Sequence, residues 1–185
     1  MRNLVLRLAM CATMLAVATS VRAQGVGSSE SSEYLIKAGY VYNFAKLVEW
    51  PASAARPGQP MVIGVLGNDA FATVLERVVG GKKIDDRSIL VKRLKSQNYR
   101  DCGCQMLFVA ATEIARAEEV IQFQNTASVL TISEAPEFAR RGGVIALTLE
   151  DSKVRFMVNV DAAQQASLNI SSRLLTLASV VHTAR

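Results

Sequence analysis

The stretch MVIGVLGNDAFATVLERVVGG, residues 61–81, passes from one kind of order to another within a single loop's length. Met61 to Leu66 is a short unbroken apolar run, the pattern of a strand buried on both faces. Gly67-Asn68-Asp69 follows as a turn, and Asn68 or Asp69 offers a side-chain oxygen to the first amides of a helix. Ala70 to Val79 then spaces its apolar residues for a helix, which Gly80-Gly81 ends. A buried strand that feeds a helix is the repeating unit of a parallel α/β sheet.

The same alternation extends in both directions. Ser88 to Leu94 alternates as a strand, and Gln105 to Ala110 is another apolar strand, followed by a helix around Ala115–Phe123. Ser128 to Ile132 reads as a strand and Ala135 to Arg141 as a short helix. Val144 to Leu149 and Lys153 to Val160 are joined by Glu150-Asp151-Ser152, a hairpin signal. Ala162 to Ser167 and Ser171 to His182 read as the closing helices. Upstream, Pro51 to Pro60 is a loop. Before it a helix runs from a Ser32 cap, with Glu33 in its first turn, to Trp50, where Pro51 stops it. The expected fold is one α/β domain: a mainly parallel sheet flanked by helices, with a C-terminal antiparallel hairpin. No internal repeat or second domain boundary is visible.

The chain has 185 residues, half of them apolar and 20% charged, which excludes a disordered or low-complexity chain. Aromatics at 6% and a net charge of +5 exclude a dedicated nucleic-acid reader. The charge is unevenly spread. Residues 1–23 hold Arg2, Arg7 and Arg22 but no acid, an apolar run from Leu8 to Ala18, and Val21-Arg22-Ala23 at the end. These are the parts of a cleaved signal peptide; the run is too short for the roughly 20 residues of a membrane-spanning helix. Three of the 21 basic residues and none of the 16 acidic ones lie there, so the exported chain is +2. Residues 24–32, rich in Gly and Ser, read as a flexible leader before the domain of residues 33–185.

Catalytic constellations are not legible. Gly64 to Asp69 sits where phosphate loops sit, but it lacks the third glycine of a dinucleotide loop and the Gly-Lys-Ser/Thr of a P-loop. A helix cap accounts for it. His182 has no nucleophile elbow to serve, and Asp85-Asp86, among Lys82, Lys83 and Arg87, reads as a solvated turn. Lys92, Arg93, Lys95 and Arg100 make a loose basic patch that reads as a solvated edge. No cofactor or metal site is expected. After export Cys102 and Cys104 remain, separated by Gly103, in an oxidising compartment. A bridge across one residue closes a tight ring that glycine eases; free or intermolecular thiols are the alternative. Metal binding lacks a second cysteine pair and a nearby histidine.

What stands out is apolar. Along the helix before Pro51, Tyr34, Ala38, Val41, Ala45 and Val48 share one side, while Ile36, Tyr40, Phe44 and Leu47 lie opposite. Only Lys37, Asn43, Lys46 and Glu49 interrupt them. A helix apolar nearly all round is buried on more than one side, or keeps a face for a partner.

Lys37-Ala38, Tyr42-Asn43-Phe44-Ala45-Lys46 and Glu49-Trp50-Pro51 resemble the opening signature of the YfiR family. The likeness continues through Val65 to Phe71, Cys104 before an apolar strand, Leu130 to Ser133 on to Gly142-Gly143, and Val154-Arg155-Phe156 to Asn159. It ends with Leu168-Asn169-Ile170-Ser171-Ser172-Arg173-Leu174-Leu175, covering roughly residues 33–181. The resemblance implies a periplasmic α/β protein that represses an inner-membrane diguanylate cyclase by binding its periplasmic sensory region. Such a brake on cyclic-di-GMP signalling and biofilm formation is itself sequestered by an outer-membrane lipoprotein. Family members respond to redox state through disulfides. Here Cys104 matches, Cys102 is its one mate within the exported chain, and Ile145 to Val158 holds no cysteine. Ser167 stands where the family has glycine, a left-handed position.

The resemblance implies no catalytic residues, and it makes the Tyr42–Trp50 segment and the Arg173 helix the candidate partner face. Its members are Tyr42, Phe44, Glu49, Trp50 and Arg173, with Arg173 paired to Glu49 across it. A homodimer is a further arrangement open to it. The competing reading is a periplasmic small-ligand binding protein with an aromatic pocket near Tyr42 and Trp50. A hydrolase would need a nucleophile and base that the sequence does not supply.

Overall fold

A computed structural model describes residues 25–55 and 57–182; the signal peptide read in residues 1–23 lies outside them. In chain order the elements are α1 (Gly25–Leu47), β1 (Val48–Glu49), α2 (Ala52–Ala55), β2 (Met61–Leu66), α3 (Asp69–Val79), β3 (Lys83–Ile84), β4 (Arg87–Leu94) and β5 (Met106–Val109). There follow α4 (Ala117–Ala127), β6 (Leu130–Ser133), β7 (Ile145–Glu150), β8 (Lys153–Asn159), α5 (Val160–Gln165), β9 (Asn169–Ile170), α6 (Ser172–Leu175) and β10 (Ser179–Val181).

Eight strands form one sheet in the order β10-β8-β7-β6-β5-β2-β4-β3. The run from β7 to β4 is parallel throughout, and β7–β8 and β3–β4 are antiparallel hairpins. Both hairpins turn on two residues with positive φ, Asp85 and Asp86 in one, Asp151 and Ser152 in the other. That geometry matches the right-handed twist of the strands it joins. The mainly parallel single-domain sheet and its C-terminal hairpin are as the sequence predicts.

Because the central strands are covered on both faces, their side chains divide by alternation. Met61, Ile63, Val65, Met106 and Phe108 join one core with α1, α3 and α5. Leu66, Leu107 and Val109 join a second core under α4, with Tyr99, Phe138 and both cysteines. Gly64 is required on that second face, since a Cβ there would lie 2.4 Å from Leu94 Cδ1 and 2.8 Å from Cys104 Sγ. Asn68, not Asp69, caps α3, its Oδ1 accepting from the Phe71 amide at 2.9 Å.

Several boundaries differ from the sequence reading. The helix begins at Gly25, so residues 25–32 of the stretch read as a flexible leader form its first turns and Ser32 lies inside it rather than capping it. It stops at Leu47, and Val48-Glu49 become a strand paired antiparallel with Asn169-Ile170. Ala135 to Arg141 is a series of turns, not a helix. The predicted helix from Ser171 to His182 is the four-residue α6 followed by β10, which runs parallel to β8 with Val180 opposite Val158. At β1 and β10 pairing with a distant segment overrides a local apolar spacing.

Candidate functional site

The candidate residues converge at one end of α1, and the join that brings them together is β1–β9. Glu49 stands opposite Asn169 and Val48 opposite Ile170. The Ser171 amide donates to the Leu47 carbonyl at 3.0 Å. Asn169 Nδ2 donates to Glu49 Oε2 at 2.9 Å. Glu49 is therefore held by Asn169, where the sequence reading paired it with Arg173. Arg173 is exposed on α6, whose first turn is capped by Ser171 Oγ accepting from the Leu174 amide.

The chain reaches β9 through a sharp reversal. Asn159 caps α5 with Oδ1 on the Ala162 amide and uses its Nδ2 to reach the Ala139 carbonyl at 2.6 Å. After α5, Ser167 adopts φ +58° and the Leu168 amide returns to the Ala163 carbonyl. The left-handed position expected at Ser167 is present, and a serine occupies it.

Trp50 is half-buried, its indole N–H donating to the Gln105 carbonyl at 3.1 Å. Gln105 is itself buried. Its Oε1 accepts from the Val62 amide and its Nε2 donates to the Ala54 carbonyl. Trp50 is thereby fixed to the starts of β2 and β5, with one side left to solvent. Tyr42 is half-buried, with Lys82 Nζ 4.6 Å and Lys46 Nζ 5.6 Å from its ring centroid, within cation–π range. Phe44 is fully buried between Tyr40 and Phe156. It cannot touch a partner, and its role is to hold α1 against the sheet. The structure thus brings Glu49, Trp50, Asn169 and Arg173 to one end of the fold, with Tyr42 along α1.

Sequence reasoning missed Asn169 as the partner of Glu49, because the two lie 120 residues apart. It also gave Lys37 no role beyond interrupting the apolar helix, whereas Lys37 is only 6% exposed. Its Nζ lies 2.6 Å from Glu33 Oε1 and 2.7 Å from Glu134 Oε2. Burial works against its charge, but the hydrogen bonds to Glu134 and then Glu33 outweigh it and raise its pKa above the ordinary 10.5. A lysine in an otherwise apolar helix was the available signal.

Lys37 and Tyr34 also bear on the small-ligand reading. In doubly wound sheets ligands enter at the carboxyl ends of strands where the strand order reverses, here between β2 and β5. Tyr34 accepts there from Asn68 Nδ2 at 3.1 Å, and Glu134 accepts from Lys37 and from the Ala111 amide. A Cβ at Gly67 would lie 2.6 Å from Glu113 Cγ. The chain's own side chains meet one another at this crevice. A surface depression of about 340 Å³, between the Gly58–Pro60 loop and the β3–β4 hairpin, includes neither Tyr42 nor Trp50.

Cys102 and Cys104 face each other across Gly103, their Cα atoms 5.2 Å apart, within the span of a disulfide. The Lys92 ammonium donates to the Cys102 carbonyl at 2.8 Å. Among the described residues no group of three or more His, Cys, Asp or Glu side chains is placed to hold a metal, and no helix is long and apolar enough to cross a membrane.

This is a doubly wound α/β domain with its two family-like end segments stitched into one surface. The chain belongs to the YfiR/HmsC-like family, also described as DUF4154, whose pattern matches residues 34–179. That family is regulatory rather than catalytic, periplasmic, and tied to the cyclic-di-GMP pathway and its membrane diguanylate cyclases. No curated protein matches the chain. Among solved structures it is similar to a conserved domain protein from Vibrio cholerae O1 biovar eltor, with a TM-score of 0.57 and 13% identity. That match covers 77% of this chain and spans 59% of the other. The ABC domain from Streptococcus pneumonia, solved in complex with L-Trp, aligns at a TM-score of 0.49 and 12% identity, covering 65% of this chain and 55% of that one. At 13% identity the likeness to the Vibrio protein is one of fold.

Proposed function

We propose that this protein is a periplasmic repressor that binds the sensory region of an inner-membrane diguanylate cyclase and lowers cyclic-di-GMP, and with it biofilm formation. Family membership over residues 34–179 is the observation that carries the reading. The β1–β9 join supports it, because Glu49-Trp50 and Asn169-to-Arg173 become one surface only in the folded chain. On this reading Trp50 is the anchor, since a half-buried tryptophan offers large contact area at low entropic cost. Arg173, exposed on α6, contributes a charge. The protein reaches the periplasm through cleavage after Ala23, and an outer-membrane lipoprotein competes for it.

Repression requires that the protein bind the cyclase's inactive state more tightly than its active one. Moving a cyclase from 1% to 99% inactive takes a preference of about 10⁴-fold, roughly 5.5 kcal/mol. A few well-packed anchors supply energy of that order. The test is deletion of the gene together with co-purification of the tagged protein with a periplasmic-sensor cyclase encoded nearby. Raised cellular cyclic-di-GMP and recovery of the cyclase are expected. Unchanged cyclic-di-GMP in the deletion strain overturns the proposal.

A further inference from the structure

The short β3 leaves most of one sheet edge without a strand beside it. β3 pairs with Arg87 and Ser88 alone, whereas β4 runs on through Ile89–Leu94, about 20 Å of strand. β2 holds the inner side of β4 over that whole length. Arg87 closes the hairpin opposite Ile84 and turns its N–H and C=O to β3. By alternation those of Ile89, Val91 and Arg93 face the same way, and among the described residues no group bonds to them. The Ile89 and Val91 side chains pack on the core shared with α3, which holds the strand in place. Charge gathers along this edge. Residues 82–95 hold six basic side chains and two acidic ones, hence +4, where the whole exported chain is +2. Arg93 is met by Glu76 and the Lys92 ammonium by the Cys102 carbonyl. Lys83 and Lys95 are exposed and make no ion pair among the described residues. Between them Leu90 is 45% exposed.

We propose that the β4 edge takes an extended, acidic segment of a partner protein as an added strand. Main-chain hydrogen bonds to Ile89, Val91 and Arg93 supply the affinity, as in other cases of strand addition. Lys83 and Lys95, at the two ends of the edge, select for carboxylates, and Leu90 selects for an apolar side chain beside it. A second copy of this chain does not fit. Antiparallel pairing of β4 on itself about Val91 sets Lys95 opposite Arg87 at both ends, and like charges directly opposite each other repel. Lysines on an edge strand thus oppose self-pairing, while the same lysines attract an acidic strand. The edge lies apart from β1 and β9, which form their own two-stranded sheet, so the proposal does not rest on the repressor reading.

Fluorescence anisotropy of a labelled peptide of alternating Glu and Val, titrated with the exported protein to about 1 mM, tests the proposal. Saturable binding is expected, and none for the same peptide with Lys in place of Glu. A copy of the Glu peptide N-methylated at every residue keeps the charges, loses the amide donors and binds at least tenfold more weakly. V91P removes the central amide of the edge and also weakens binding at least tenfold; proline is tolerated there because that N–H lies outside the ladder to β2. K83E together with K95E, both at exposed positions, turns the preference to the Lys peptide. Absence of binding by the Glu peptide overturns the proposal. Equal binding of the N-methylated copy, or indifference to both V91P and the paired charge reversals, means adsorption to charge alone and overturns it too. No cyclase enters this experiment, so its failure leaves the repressor reading standing, and failure of cyclase binding leaves the edge site standing.

Discussion

Replacing Lys37 by Met is the most informative perturbation of the fold, because it keeps the packed alkyl stem and removes only the buried charge. Lys37 holds Glu33 and Glu134 at 2.6 and 2.7 Å, and Glu134 in turn accepts from the Ala111 amide. This set ties α1 to the carboxyl ends of β5 and β6. Removing one partner of a fully buried ion pair costs about 3–5 kcal/mol, most of it from the charge left behind. Here Glu134 and Glu33 keep 16% and 28% side-chain exposure and rehydrate in part. The expected loss is therefore about 2–3 kcal/mol, or roughly 5–10 °C in Tm for a domain of this size. Urea unfolding followed by the fluorescence of Trp50, the one tryptophan, measures it. Adding Glu134→Gln to Lys37→Met removes the stranded charge and recovers about half the loss. A loss below about 0.5 kcal/mol, or a double variant as unstable as the sum of the singles, would refute the reasoning.

The same lysine sets a pH dependence. Its folded pKa is raised, so its stabilisation is complete below the unfolded value near 10.5 and is lost as pH rises through the folded value. The stability gap between wild type and Lys37→Met is therefore constant from neutral pH to about 10 and narrows above it; a gap that widens there contradicts the assignment. At Ser167, φ +58° is strained for any residue with a Cβ, so Ser167→Gly raises stability by about 0.5–1 kcal/mol in thermal melts while Ser167→Val lowers it. For Cys102 and Cys104, thiol titration of unreduced exported protein is expected to find no free thiol, and intact mass to rise by two hydrogens on reduction. Two free thiols would exclude the local bridge.

Much of the fold was legible because its signals are local. The apolar run Met61–Leu66, the Asn68 cap and the Gly80-Gly81 stop fall where the residues place them. So does the hairpin of β7 and β8, whose turn needs two left-handed residues and has Asp151-Ser152. What was illegible is built from pairs far apart in sequence. β1 and β9 are two residues each, too short for any periodicity, and exist only because Val48 meets Ile170. β10 lies inside the stretch Ser171 to His182 that reads as one helix; pairing with β8 decides otherwise. At the candidate site the residue types were legible and their partners were not. Trp50 answers to the Gln105 carbonyl, Glu49 to Asn169 and Lys37 to Glu134, and no local pattern announces a contact made across the sheet.

The central claim is that the surface joined by β1 and β9 grips a cyclase. Titration calorimetry of the exported protein against the purified periplasmic sensory region of a diguanylate cyclase from the same organism addresses this most directly. The account predicts saturable binding that Arg173→Glu weakens at least tenfold, about 1.4 kcal/mol or more. Arg140→Glu, an exposed change in the turns after β6, leaves binding intact. No binding at about 100 μM, or an equal loss from both substitutions, would contradict it.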